Sequence, residues 1–161
     1  MTTLFAQSYG DASVGFYFED YSEYCKGIDR LNYKGYEEFD IQFIDGESGQ
    51  ASLFKAASIS QASVQVWFEY LDDLGKYEIF QLTFLLNCGY ELEVALQRYS
   101  EVHLHFGSAC NYAQDIIEET SDIPEHLTNY IDYDAIARDM EINGDITQVT
   151  HHTYVTNARE F

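Results

Sequence analysis

Two kinds of side chain in this sequence have the type and spacing to do chemistry: its histidines and its carboxylates. His103 and His105 stand two apart in a strand-like stretch and so share a face, and His151–His152 forms a second cluster. With a nearby carboxylate these offer an acidic metal-binding or hydrolytic site, although neither HExxH nor a fixed Cys/His ligand spacing accompanies them. Asp132 and Asp134 open like a calcium loop, but Ala137 stands where that loop needs glycine and Asn143 where it needs an acid. Glu118–Glu119 and Asp72–Asp73 are adjacent carboxylates; neighbours on a helix point apart, which does not suit shared acid–base work. There is no serine nucleophile elbow, P-loop or GxGxxG, so the sequence reads as no enzyme and calls for no cofactor or metal.

The carboxylates are more informative as a set. The 161 residues include 28 Asp or Glu against 8 Lys or Arg, a formal net charge of −20. Eight cations cannot supply a nucleic-acid-binding face or an attraction to anionic membrane, so both partners are excluded. Divided at residues 60 and 100, the chain has 10 acids to 4 bases, 6 to 2 and 12 to 2, leaving half the excess in the last third. There Asp115, Glu118, Glu119 and Asp122 fall at i, i+3, i+4 and i+7, one face of a helix, and Asp132/Asp139 and Asp134/Glu141 repeat at i+7. Arg138 is expected to pair with Asp134 four residues before it. Like charges four apart cost a helix roughly 0.2–0.5 kcal/mol per pair, and solubility alone asks for a net charge of only about 2–8. A salt-adapted surface is the plain explanation. The functional one is imitation of a polyanion: duplex DNA carries one charge per ~1.7 Å, so twenty charges match about 34 Å of duplex and a dimer about 68 Å, or about 20 base pairs.

The elements that must hold these residues are legible in the periodicity. A composition that is 46% hydrophobic with 26 aromatic residues (14 Tyr, 11 Phe, 1 Trp) argues against disorder. Leu4–Gln7 and Gly15–Phe18 are predicted strands separated by a turn at Gly10–Asp11. Asp20 caps a helix with Tyr21, Tyr24, Cys25, Ile28 and Leu31 on its apolar face, and Glu38–Ile44 is a strand. From Ser63 to Val102 the period is helical, with Ile79–Leu86 apolar all round and therefore buried. A strand at Val102–Phe106, a helix at Ala109–Thr120, a short helix begun at Pro124, a helix at Asp132–Ile142 stopped by Asn143–Gly144, and paired strands at Ile146–Val149 and Thr153–Val155 complete the chain.

The expected fold is α+β in three small domains: an N-terminal α+β domain over residues 1–60, a helical domain over 61–102 and a C-terminal α+β domain over 103–161. Cys25, Cys88 and Cys110, odd in number and without a CxxC pair, are expected to be reduced, partly buried thiols. No basic n-region begins the sequence and no run approaches the ~18 apolar residues of a membrane span, which suits a cytoplasmic protein.

Three strings then carry a family resemblance. Leu4 to Phe18 (LFAQSYGDASVGFYF), Glu37 to Gly46 (EEFDIQFIDG) and Tyr130 to Gly144 (YIDYDAIARDMEING) resemble the ArdA antirestriction proteins in order and spacing across nearly the whole chain, the third string resembling the acidic antirestriction motif. The resemblance implies a non-enzymatic, cytoplasmic protein of mobile elements. Such a protein imitates bent duplex DNA, occupies the DNA groove of type I restriction–modification enzymes and blocks restriction, often modification too. It also implies an elongated homodimer of three-domain chains. The motif carries over onto Asp132, Tyr133, Asp134, Arg138, Asp139 and Glu141. Tyr130, Tyr133 and Arg138 are candidates for an interface, with core packing the alternative for the tyrosines.

Overall fold

In the computed structural model, which describes residues 1–161, the strand β1 (Thr3–Ser8) buries Leu4, Ala6 and Ser8 and leaves Thr3, Phe5 and Gln7 half-exposed. This period of two makes it the centre of a sheet with one covered face. Strands β2 (Gly15–Phe18) and β3 (Phe39–Asp45) flank it, both antiparallel, in the order β2-β1-β3, with Ala6 opposite Phe16 on one side and Ile41 on the other. Helix α1 (Tyr21–Asn32) starts at Asp20, whose carboxylate accepts the Glu23 N–H at 2.7 Å. It buries Tyr24, Gly27 and Leu31. A Cβ on Gly27 would lie 2.1 Å from the Phe16 ring, so glycine is what lets the helix lie this close to β2.

The helices that follow fold onto the same sheet. Helix α2 (Gln50–Ala56) was not expected from the sequence pattern; α3 (Val64–Val66) runs into a π-helical turn at Trp67–Leu71, and α4 spans Lys76–Asn87. Trp67 is fully buried, edge-on to Phe54 at 5.1 Å and to Phe43 of β3 at 6.3 Å. The Gln50 amide donates to the Asp72 carbonyl at 2.7 Å, and α4 packs along α2 with Ile79, Phe80 and Leu82–Leu85 buried. Met1–Asn87 is accordingly one compact unit and Cys88–Phe161 a second. Helix α4 joins the first unit by packing on α2, which in turn lies against β3.

The second unit contains α5 (Leu92–Arg98) with a 3-10 turn at Tyr99–Glu101, β4 (Leu104–Phe106), α6 (Ala109–Thr120), a 3-10 segment at Glu125–Tyr130 after Pro124, α7 (Tyr133–Asn143), β5 (Thr147–Thr150), β6 (Thr153–Val155) and a last 3-10 turn at Ala158–Glu160. Its antiparallel sheet has the order β4-β6-β5. Helices α6 and α7 pack together over a core of Ala109, Ala113, Ala137, Ile146 and Tyr154, with Tyr112, Ile136 and Met140 against it. The small alanines let the two helix backbones approach, and this fixes which faces point out. No helix in the structure is long and apolar enough to cross a membrane.

Candidate functional site

Helix α6 is positioned by Ser108, whose hydroxyl accepts the Asn111 N–H at 3.1 Å, and by burial of Ala113 with Ile116 and Ile117 half-buried beside it. With that face inward, Asp115, Glu118 and Glu119 are exposed. Asp122 is exposed too, but it does not extend the helical stripe: the helix ends at Thr120, whose hydroxyl bonds back to the Ile116 carbonyl at 2.6 Å, and Ser121 is extended. The fourth member of the expected stripe therefore lies in the connection to Pro124. Glu118 accepts the Gln114 amide at 2.8 Å, a neutral contact that leaves its charge in place.

On α7, Asp132, Asp134, Asp139 and Glu141 are likewise exposed. Asp132 is the N-cap, its carboxylate accepting the Ala135 N–H at 2.9 Å. Arg138 is exposed and forms no ion pair within 4.0 Å, so the expected Arg138–Asp134 pair does not form. Asp134 instead takes a hydrogen bond from the Cys110 thiol of α6; that bond, then burial and the charges of Asp134 and Asp132, push the thiol up from its ordinary pKa. Tyr154 is pushed up by burial first and by Glu141 second, so Glu141 stands beside the core's edge. Helix α7 stops at Gly144, where φ is +75° and the Asp145 N–H returns to the Met140 carbonyl at 2.9 Å, the left-handed ending that glycine adopts without strain. Arg159, which the sequence reading left unused, donates to the Asn143 carbonyl at 2.9 Å and pairs with Asp145 at 2.9 Å, a cation on the negative end of the helix.

None of Asp115, Glu118, Glu119, Asp122, Asp132, Asp134, Asp139 or Glu141 is in an ion pair within 4.0 Å. Their unit carries 14 acids and 3 bases, net −11, and the first unit 14 and 5, net −9. Such a surface presents only acceptors, and its natural complement is lysine and arginine. Beside it, Tyr130 is 84% exposed and Ile142 75% exposed, while Tyr133 is half-buried with its hydroxyl enclosed and unpartnered.

The histidines do not gather. His103 is exposed just before β4, and His105 lies half-buried 5.1 Å from the Tyr112 ring. His151 and His152 meet edge-on, ring centres 3.9 Å apart, at an exposed turn. No three His, Cys, Asp or Glu side chains stand together as a metal-ligand group. Asp72 accepts the Thr2 hydroxyl, whereas Asp73 is exposed. All three cysteines are free thiols; Cys25 and Cys110 are half-buried as expected, but Cys88 is exposed, with burial of its surroundings still raising its pKa.

The profile of the antirestriction protein family ArdA matches residues 5–156 of this sequence. No curated protein matches it.

Proposed function

Because the chain belongs to the ArdA antirestriction family, we propose that it opposes restriction by standing in for duplex DNA in the DNA groove of a type I restriction–modification enzyme. The observation that carries this reading is the set of eight exposed, unpaired carboxylates on and around α6 and α7, in a unit whose cations number three. An enzyme groove lined with Lys and Arg to hold phosphates would meet the same sign of charge here, at a spacing set by a helix that rises ~1.5 Å per residue. The chain does no chemistry of its own in this reading: it withholds the groove from DNA and so blocks cleavage, and methylation where both use the same groove. It acts in the cytoplasm, binds no nucleic acid directly, and serves the mobile element that carries it.

The same reading includes a homodimer, with Tyr130, Tyr133 and Arg138 at its interface. Tyr130 and Ile142 are the most exposed large apolar groups of the second unit, at 84% and 75%, and support that placement. Light scattering tests it: a particle of twice the monomer mass is expected, and a monomer after Tyr130→Ser.

Competition between the protein and labelled duplex for a purified type I enzyme tests the main reading. The expected result is stoichiometric release of the duplex with no degradation of either component. If the duplex stays bound at large excess of the protein, mimicry is wrong for this chain.

A further inference from the structure

Helix α1 has a cationic face in a chain that has few cations anywhere. Lys26 and Arg30 are four residues apart and project side by side, and Lys34 follows just beyond the helix end at Asn32. Neither Lys26 nor Arg30 has a carboxylate within 4.0 Å, although Glu23 and Asp29 stand three residues to either side of Lys26. Glu23 is occupied at the helix entrance, where its carboxylate accepts the Glu19 N–H at 2.9 Å. Between the two cations lies Gly27, packed against the Phe16 ring, and beside it is an open groove of about 440 Å³ lined by Phe16, Tyr17, Glu23, Lys26, Gly27 and Arg30. Tyr17 is 65% exposed beside it. The groove thus has two exposed cations, Lys26 and Arg30, that form no ion pair, with the Glu23 carboxylate already engaged at the helix entrance.

These parts suit one kind of occupant. Arg30 offers a planar fork that takes a carboxylate at two points, with the Lys26 ammonium one helical turn away to take a second. We propose that the groove docks an acidic segment of the protein partner, a carboxylate-bearing loop at the rim of the basic channel that the chain fills. The proposal rests on the reading of the chain as occupant of that channel. A nucleic acid strand would bring a charge on every residue against a unit of net −9, and the proposed contact with a second copy is placed at Tyr130, Tyr133 and Arg138 of the other unit. A single loop brings one or two charges, and contacts made elsewhere on the chain hold it at high local concentration. Electrostatic complementarity of this kind fixes register and selects partners. Here it provides a contact that DNA, which has no cations, cannot make.

The sign of a charge-reversal experiment separates this from simple polyanion behaviour. Binding to a purified type I restriction–modification enzyme is measured for wild type, K26Q/R30Q, K26E/R30E and the control K55E, a lone exposed cation on α2. Lys26 and Arg30 are exposed, and Gln and Glu are good helix formers; thermal melts confirm folding. The docking groove predicts binding about threefold to tenfold weaker for K26Q/R30Q and weaker still for K26E/R30E, with K55E unimpaired. Binding as tight as wild type or tighter in K26E/R30E, the response of a featureless polyanion, overturns the groove while leaving mimicry intact. Failure of wild type to bind the enzyme at all removes both. A labelled oligonucleotide held by wild type and released by K26E/R30E would assign the groove to nucleic acid instead. A dimer lost in K26E/R30E with enzyme binding unchanged would assign it to a second copy. Either result overturns the proposal.

Discussion

Asp132 combines a structural task with membership of the acidic motif, and substitution separates the two. Its carboxylate satisfies the Ala135 N–H at the start of α7, so Asp132→Ala should cost about 1 kcal/mol in urea unfolding, the usual value of an N-cap. Asp139, exposed and about two turns beyond that cap, should lose nothing measurable on change to Asn. If both substitutions leave stability alike, the cap contributes nothing. Cys110 offers a test by pH. Its thiol donates to Asp134 and sits near the Asp132 charge, both of which favour the protonated form and hold thiolate formation above the ordinary range. Alkylation of Cys110 should therefore be slow at pH 8 and accelerate only at higher pH, and Asp134→Asn should move the whole profile down. An unmoved profile would show that Asp134 does not control the thiol. The same contact explains a misreading from sequence: i,i+4 spacing favours an Arg138–Asp134 pair, but Asp134 is turned toward α6, and spacing within one helix carries no information about a neighbouring one.

At the scale of elements, the role proposed for α6 sets stability against function. Asp115 and Glu119 repel at i,i+4, and Asp115 and Glu118 at i,i+3, with no cation within reach. The triple substitution D115N/E118Q/E119Q should raise stability by about 0.2–0.5 kcal/mol for each relieved i,i+4 contact while weakening competition with duplex for the enzyme. A fall in both would mean that these residues serve the fold. The limits of α6 were legible in the sequence because Ser108 is a local cap and Ala113, Ile116 and Ile117 keep the helical period. Asp122 keeps the i+7 charge spacing but lies past the helix end at Thr120, where the Thr120 hydroxyl bonds back to the Ile116 carbonyl, because charge spacing alone does not register where a helix stops. Helix α2 was invisible for a related reason: it has seven residues, starts at Gly49 with φ of +94° and has no side-chain cap. Its existence depends on α4, which it packs against. The anchoring of Trp67 between Phe43 and Phe54 was hidden in the same way, since it joins residues far apart in sequence.

For the whole molecule, the excess of charge belongs to both units, net −9 and −11, so affinity for a cationic groove should be distributed. Single Asp→Asn changes on α7 should each alter enzyme binding by less than about threefold, whereas reversing four or more together should abolish it. Binding should also fall steeply with added salt, as it does for DNA itself; a flat salt response, or one carboxylate whose loss alone abolishes inhibition, would point to a local site. The two units can moreover be followed separately by light. The chain has one tryptophan, and that indole is wholly enclosed by aromatic and aliphatic side chains of Met1–Asn87. Its fluorescence is a native gauge of the first unit's integrity, so an emission spectrum that stays unshifted while far-ultraviolet helix signal declines would record Cys88–Phe161 melting by itself.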